Sequence, residues 1–365
     1  MRLDFFPSRT LTVYLAKLFV VRIVAVLIML VLVLMVLDLL GQSGDILEYP
    51  GNGQGELLTY ASLRVPQLIA RFLPYSVLLA TIITLAALNQ NSEVISMKAA
   101  GMSAHQVLAP LILTAIGIAV ISFAFNERVV TRATSTLSAW EAVDYGPLPE
   151  ETGTRTNVYV TDGQDIMLAA AVVGSGSNTV LREVTYYRRN AAGGVVEQWR
   201  SPRARFADPG WQMEDAEGFD PRTAEASEAR DLLVGEGITL EQIALSRVDA
   251  DAENLGELSR SIDALKAAGR RTSELEAAWW HKLSGPLSAV LMPLLGAIAA
   301  FGLARSGQLL VRAAIGMALG FAYFVIDNAA LAMGNFGGYP PLIAAWAPFL
   351  LFALIGEAIL IRTEE

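Results

Sequence analysis

The sequence predicts an α-helical membrane protein with six transmembrane helices and an all-β domain inserted between helices 3 and 4, and three observations carry that prediction. First, the 365 residues are 53% apolar and only 17% charged, with a mean hydropathy of +0.44, too hydrophobic for an ordinary soluble chain of this length. Second, charges avoid the long apolar runs at both ends of the chain. Each run is near the ~20 residues that cross a bilayer, and a charge at a helix centre costs ~2.5–3.5 kcal/mol. Third, residues 128–278 between them carry charges, alternating apolar positions and Gly, Asn and Asp turn signals.

Taken in order, the first span is centred on 23–37, with Arg22 and Asp38 at its ends. Gly41 and Ser43 offer a weak signal-peptidase site, but the stretch before the apolar run is long and further spans follow, so an uncleaved span is expected. The second span starts near Pro66 and the third ends near Glu127, giving a first helical domain over 1–127. Between these spans lies the polar stretch NQNSEVISMKAAGMS, residues 89–103. Asn91 or Ser92 is placed to cap a short helix near 91–101, Glu93 falls in its first turn, where the dipole favours an anion, and Gly101 can end it. A short helix on the membrane surface, acid at its head, suits docking into a soluble motor's groove; an unpartnered connection is the alternative.

Over 128–250, alternation in NVYV, DIML and REVTYY, then in 195–206, reads as strands. Turn chemistry separates them at Asp162-Gly163, 174–178, 190–194 and Asp208-Pro209-Gly210. That alternation assigns Val158, Val160, Ile166 and Leu168 to one apolar face. Within 251–278, Leu255, Leu258, Ile262 and Leu265 recur at helical spacing and Gly269 offers a stop, so an amphipathic helix leads back to the bilayer. The domain 279–365 holds the last three spans, over 283–304, 309–333 and 342–361.

Basic residues concentrate on the cytoplasmic side of short loops. Arg2, Arg9, Lys17, Lys98, Arg305, Arg312 and Arg362 fall on one side, whereas 41–63 and 334–340 carry none, which predicts cytoplasmic termini and a β domain outside the cytoplasm. Arg64 and Arg71 oppose the rule at the outer end of span two and, with Arg128 and Arg132, gather at the outer boundary. Arginine binds phosphate in a bidentate fork; interfacial anchoring is the other reading.

The net charge of −9 argues against nucleic acid as a partner. Without cysteine there is no disulfide framework or thiolate metal site, and the two histidines, His105 and His281, stand in no local ligand pattern. No phosphate loop, GxSxG elbow or HExxH pair occurs, so no catalytic residue is assigned and energy for work would come from another subunit. Asp327, within the apolar FVIDNAA, reads as an acid near the outer interface, with solvation preferred over a proton relay or cation site. A secondary transporter would explain the spans and Asp327, but neither an internal repeat nor mid-depth ionisable groups are visible. A non-transporting envelope anchor or sensor, binding a partner through its β domain, is the further alternative.

Four stretches, VPQLIARFLPYSVLLATI, NSEVISMKAAGMS, WWHKLSGPLSAVLMPLL and FVIDNAALAMGNFGGYPPLIAAWAP, resemble the lipopolysaccharide export permeases of the LptF/LptG family, nearer its LptG-type members. The resemblance implies half of an ABC-transporter permease in the inner membrane, paired with an LptF-type half and driven by two LptB-type ATPases that bind ATP-Mg, with no cofactor in this chain. Lipopolysaccharide would pass to jellyroll-like periplasmic β domains and on to LptC-type and LptA-type proteins. Glu93 matches the family's coupling-helix acid, within a segment that includes Ser92, Lys98 and Gly101. Arg64, Arg71, Arg128 and Arg132 would meet lipid phosphates, and Val158, Val160, Ile166 and Leu168 the acyl chains. The family's lysine late in span one is replaced by Met35, which puts a substrate contact there in doubt.

Overall fold

The structure is a computed structural model that describes residues 7–141, 144–146, 155–163, 165–173, 179–190, 193–245, 248–267, 269–297 and 309–364. Arg2 and Arg305 of the basic-residue bias and the turn at 174–178 lie outside them. The chain divides into two compact units: Met1–Leu37, Val65–Val130 and Arg271–Glu365 form the first, Asp38–Arg64 and Thr131–Arg270 the second.

Helices α1 (Arg9–Glu48), α2 (Gln54–Gln90), α3 (Glu93–Ala99), α4 (Ala104–Phe125), α8 (Ser273–Ala297), α9 (Leu309–Asn335) and α10 (Pro341–Glu364) build the first unit, with α1 and α2 also supplying the second. Five helical stretches among the described residues are long and apolar enough to cross a membrane: Arg9–Glu48, Gln54–Gln90, Ala104–Glu141, Ala314–Asn335 and Pro341–Arg362. The expected fourth span, 283–304, corresponds to the C-terminal part of α8, and its end at 298–304 falls outside the described residues.

Apolar residues at helical spacing build the core of this unit. Leu15, Phe19 and Ile23 recur one turn apart on α1 and join Val77, Leu85, Leu108, Met292, Leu295 and Tyr323 in one cluster. Small residues let the helices approach: a Cβ on Gly296 would stand 2.7 Å from Thr81 Cγ2, and one on Gly320 would collide with Leu78. Two buried hydroxyls of α2 bond within their own helix, Ser76 to the Phe72 carbonyl and Thr81 to that of Val77.

The helix of the third span does not end at Glu127. A π-helical turn, Asn126–Val130, carries α4 into α5 (Thr131–Glu141), and the first strand begins only at Arg155. Strands β1 (Arg155–Asp162), β2 (Asp165–Val173), β3 (Val180–Arg189), β4 (Val195–Ala207), β5 (Gly210–Asp220) and β6 (Glu225–Val234) form one antiparallel sheet in sequential order. Its inner face packs Met167, Tyr186, Trp199, Trp211 and Met213 with Ile238 and Ile243, the latter on α6 (Leu240–Leu245). Trp199 lies over Gly218, where a Cβ would stand 2.7 Å from the ring, and the Trp211 indole donates to the Ile238 carbonyl at 2.9 Å. A bulge at Asp215, with φ 52°, shifts the register of β5 against β6. Helix α7 (Leu255–Ala267) buries Leu258, Ile262 and Leu265 and ends at Gly269, with φ 68°.

Candidate functional site

The polar stretch between α2 and α4 is a helix held at both ends. Val94 and Met97 anchor α3 in the helical core. Its end is a Schellman turn: Gly101, at φ 87°, donates to the Lys98 carbonyl and Met102 to that of Met97. Ser103 and Gln106 then close a reciprocal capping box on α4. At the head, Ser92 occupies the cap position in the left-handed region, φ 60°, and its side chain does not cap the helix. Glu93 accepts a hydrogen bond from the Tyr14 hydroxyl of α1 at 3.1 Å. The face left outside carries Ser92, Ile95, Ser96 and Lys98 beside the half-buried Glu93. An acid, an apolar side chain and an amine on one rigid turn can meet a basic groove with an apolar floor.

The four arginines divide between the units, Arg71 and Arg128 in the first, Arg64 and Arg132 in the second. Arg71, Arg128 and Arg132 are exposed. Arg64 has its fork on Asp38, Nε to Oδ2 at 3.0 Å and Nη2 to Oδ1 at 3.0 Å, while the Tyr60 hydroxyl donates to the same carboxylate at 2.7 Å. A phosphate would have to displace Asp38 to use that fork. Nearby, Asn52 donates to the carbonyls of Ile46 and Tyr145. Burial, with the carboxylates of Glu141, Asp45 and Asp38 around it, pushes the Tyr145 phenol up to about 12.

The strand residues do not share one face. Val160 pairs with Met167 and Val158 with Ala169 on the buried side, whereas Ile166 pairs with Thr161 and Leu168 with Tyr159 on the other, both half-buried. The pairing of Asp162 with Asp165 fixes this: it sets even-numbered against odd-numbered positions, so the alternation of β2 is out of phase with that of β1. The apolar face begun by Val158 and Val160 continues through Met167, Ala169, Tyr186 and Trp199.

Sequence reasoning missed three side-chain pairings. Tyr14 carries no local signal for its bond to Glu93. His105 bonds Glu357 at 2.8 Å, joining the first turn of α4 to α10. Asp327, expected to be solvated, is only 6% exposed and bonds His281 of α8 at 3.1 Å. The ionisable residues in WWHK and FVID were a signal, since such groups inside a span find partners. Met35, at the position of the family's lysine, is buried. Among the described residues no group of three or more His, Cys, Asp or Glu is placed to hold a metal.

The family model of the lipopolysaccharide export system permease LptF/LptG matches residues 13–362. The chain is 26% identical over 328 residues to the lipopolysaccharide export system permease protein LptG of Escherichia coli K12, covering 87% of this chain and 89% of that protein. It is 21% identical over 316 residues to the LptG protein of Haemophilus influenzae, covering 85% and 87%. With nearly the whole chain matched, apolar helices at both ends and an inserted six-stranded sheet, this protein belongs to the LptF/LptG family of lipopolysaccharide export permeases.

Proposed function

We propose that this chain is one half of an ABC-transporter permease that lifts lipopolysaccharide from the inner membrane and hands it to a periplasmic β-jellyroll bridge. The observation that carries the reading is the connection between α2 and α4: a helix locked by two apolar anchors, a Schellman turn and a capping box presents Glu93, Ile95 and Lys98. Such a rigid knob transmits a push from a soluble partner to the spans on either side. In this reading an LptF-type half completes the permease, two LptB-type subunits bind and hydrolyse ATP-Mg, and Ser92, Glu93, Lys98 and Gly101 form the contact with one of them. Both termini and α3 are cytoplasmic, and the sheet is periplasmic, where LptC-type and LptA-type proteins continue the path. Arg71, Arg128 and Arg132 meet the lipid's phosphates, and Arg64 does so only when Asp38 releases it. Of the strand residues, Val158 and Val160 receive acyl chains; Ile166 and Leu168 serve the opposite face.

The test is Glu93→Ala in the complex with its ATPase. Truncating a desolvated charge with a cationic partner costs ~2–5 kcal/mol, so co-purification is expected to weaken, or ATP hydrolysis to continue without lipid release. Unchanged complex yield and lipid release would remove Glu93 from the coupling contact. Failure of the wild-type chain to co-purify with any ATPase would sink the permease reading and favour the envelope anchor.

A further inference from the structure

Ser273 at the head of α8 donates to the Asn335 carbonyl at 3.2 Å, and Arg271 to that of Phe336 at 3.1 Å, so the start of α8 lies level with the end of α9. From that level His281 and Asp327 each lie just over two turns along their own helices, about 12 Å in. The pair is asymmetric: the Asp327 side chain is 9% exposed and the His281 side chain 34%. Nε2 of His281 is held by Asp327 Oδ2 at 3.1 Å, and Nδ1 makes no hydrogen bond among the described residues. The ring lies over Gly285, where a Cβ would come within 3.5 Å of Cε1. Asp327 therefore fixes the imidazole from inside and leaves its other nitrogen free.

The charges around this pair do not cancel. Tyr75 of α2 stacks on Phe324 with ring centroids 3.8 Å apart, which brings Arg71, one turn before Tyr75, level with Asn328, one turn after Phe324. Lys282 is 8% exposed and makes no ion pair or hydrogen bond among the described residues. At this depth α9 offers Asp327 and Tyr323, α2 offers Arg71 and Tyr75, and α10 offers no titratable group before Glu357. Glu274 and Glu276 lie higher, in the first turn of α8, and Glu127 and Arg128 sit in the π-helical turn after α4. Lys282, next in the chain to His281, and Arg71 thus bring two basic side chains to the level of one carboxylate already engaged by a histidine, and a basic group buried without a partner seeks an anion.

We propose that His281, positioned by Asp327 and flanked by Arg71 and Lys282, is a binding site for a phosphate monoester on a lipid headgroup. The protonated imidazole donates through Nε2 to Asp327 and through Nδ1 to a phosphate oxygen, while the two cations supply long-range charge. The choice of lipopolysaccharide as the lipid rests on the export reading; the phosphate chemistry does not.

The test uses the purified full complex with lipid A, its dephosphorylated form and inorganic phosphate as probes, at about pH 5.5 and about pH 8, where imidazole changes charge. Wild type is expected to bind lipid A several-fold tighter at the lower pH. His281→Gln should lose roughly tenfold there, together with the pH dependence, as when a hydrogen bond to a charged group is removed. His281→Arg should bind tightly at both pH values, and dephosphorylated lipid A should not distinguish the variants. Equal affinity of wild type and His281→Gln at both pH values would overturn the proposal and leave an interhelical staple. If His281→Gln does not assemble, His281→Arg decides, because affinity for lipid A that still fell with rising pH in that variant would overturn it. Tight inorganic phosphate binding without preference for the phosphorylated lipid would overturn the lipid assignment. Failure of the export reading looks different: wild type would ignore lipid A yet still bind vesicles of phosphatidic acid over phosphatidylcholine in a His281-dependent manner.

Discussion

On α1, Met29 and Leu32 stand 66% and 61% exposed, whereas in the sheet Trp199 and Trp211 are 4% and 0% exposed and ion pairs such as Arg188–Glu197 stand outside. Both units bury a contiguous apolar cluster. They differ in what they show: large aliphatic side chains on the spans, charge on the sheet. Lipid tails are as apolar as leucine, so a span gains nothing by hiding such residues and must pack through small residues and shape. Water makes the opposite demand on the sheet, whose cohesion comes from hiding aromatics. Buried polar groups follow suit, since Thr81 bonds one turn back on its own helix while Ser201 bridges carbonyls of Arg203 and Glu214 on two strands.

The comparison breaks most visibly at Trp211. Trp211→Ala removes a fully buried indole and its bond to Ile238, and a loss of ~3–5 kcal/mol confined to the sheet is expected. Limited proteolysis of the full chain should cut within the sheet and spare the helices. Next is Leu32→Lys, which places a cation on a lipid-facing position and should cost ~2.5–3.5 kcal/mol in membrane insertion, read as reduced integrated yield. If Leu32→Lys inserted normally, the exposed face of α1 would not be facing lipid. Gly296→Val tests the small-residue contact with Thr81. Overpacking of this kind costs ~1–3 kcal/mol, whereas Gly117→Ala, with nothing within 4 Å, should change resistance to detergent unfolding little.

A smaller effect is expected at Tyr186, whose phenol burial and the hydrogen bond to Asp165 hold above its ordinary range. Because the folded value exceeds the unfolded one of about 10, this stabilisation is whole below about pH 10 and is lost as pH rises toward the folded value. The stability gap between wild type and Tyr186→Phe, about 1–2 kcal/mol near neutrality, should narrow in urea titrations above that pH; a constant gap would show that the hydrogen bond adds nothing. Smallest is Arg188→Ala, which breaks an exposed pair with Glu197 and should cost ~0.2–1 kcal/mol, measured in the same titrations.

Much of the fold was legible because local physics fixed it. Apolar runs of bilayer length give the spans, Gly101 gives the turn that ends α3, and the spacing of Leu258, Ile262 and Leu265 gives the buried face of α7. Strands β5 and β6 went unseen. The stretch EASEARDLLV is rich in Glu and Ala, poor strand formers, and it is a strand because β5 pairs with it. The helical run through Asn126–Val130 into α5 was equally hidden, since polar residues such as Glu127, Arg128 and Arg132 look like the end of a span.

The candidate site divides along the same line. Glu93 at the head of a short helix and basic residues at the boundaries follow from neighbours in the chain, so the sequence by itself determined them. Only the tertiary structure decided that Arg64 is taken by Asp38, that Ile166 and Leu168 turn away from Val158 and Val160, and that His281 meets Asp327. A one-residue choice of turn inverts a strand's faces, and a partner on another helix can lie anywhere in the chain. Neither register nor helix pairing is a property of a local window, and both are set by burying the whole apolar surface at once.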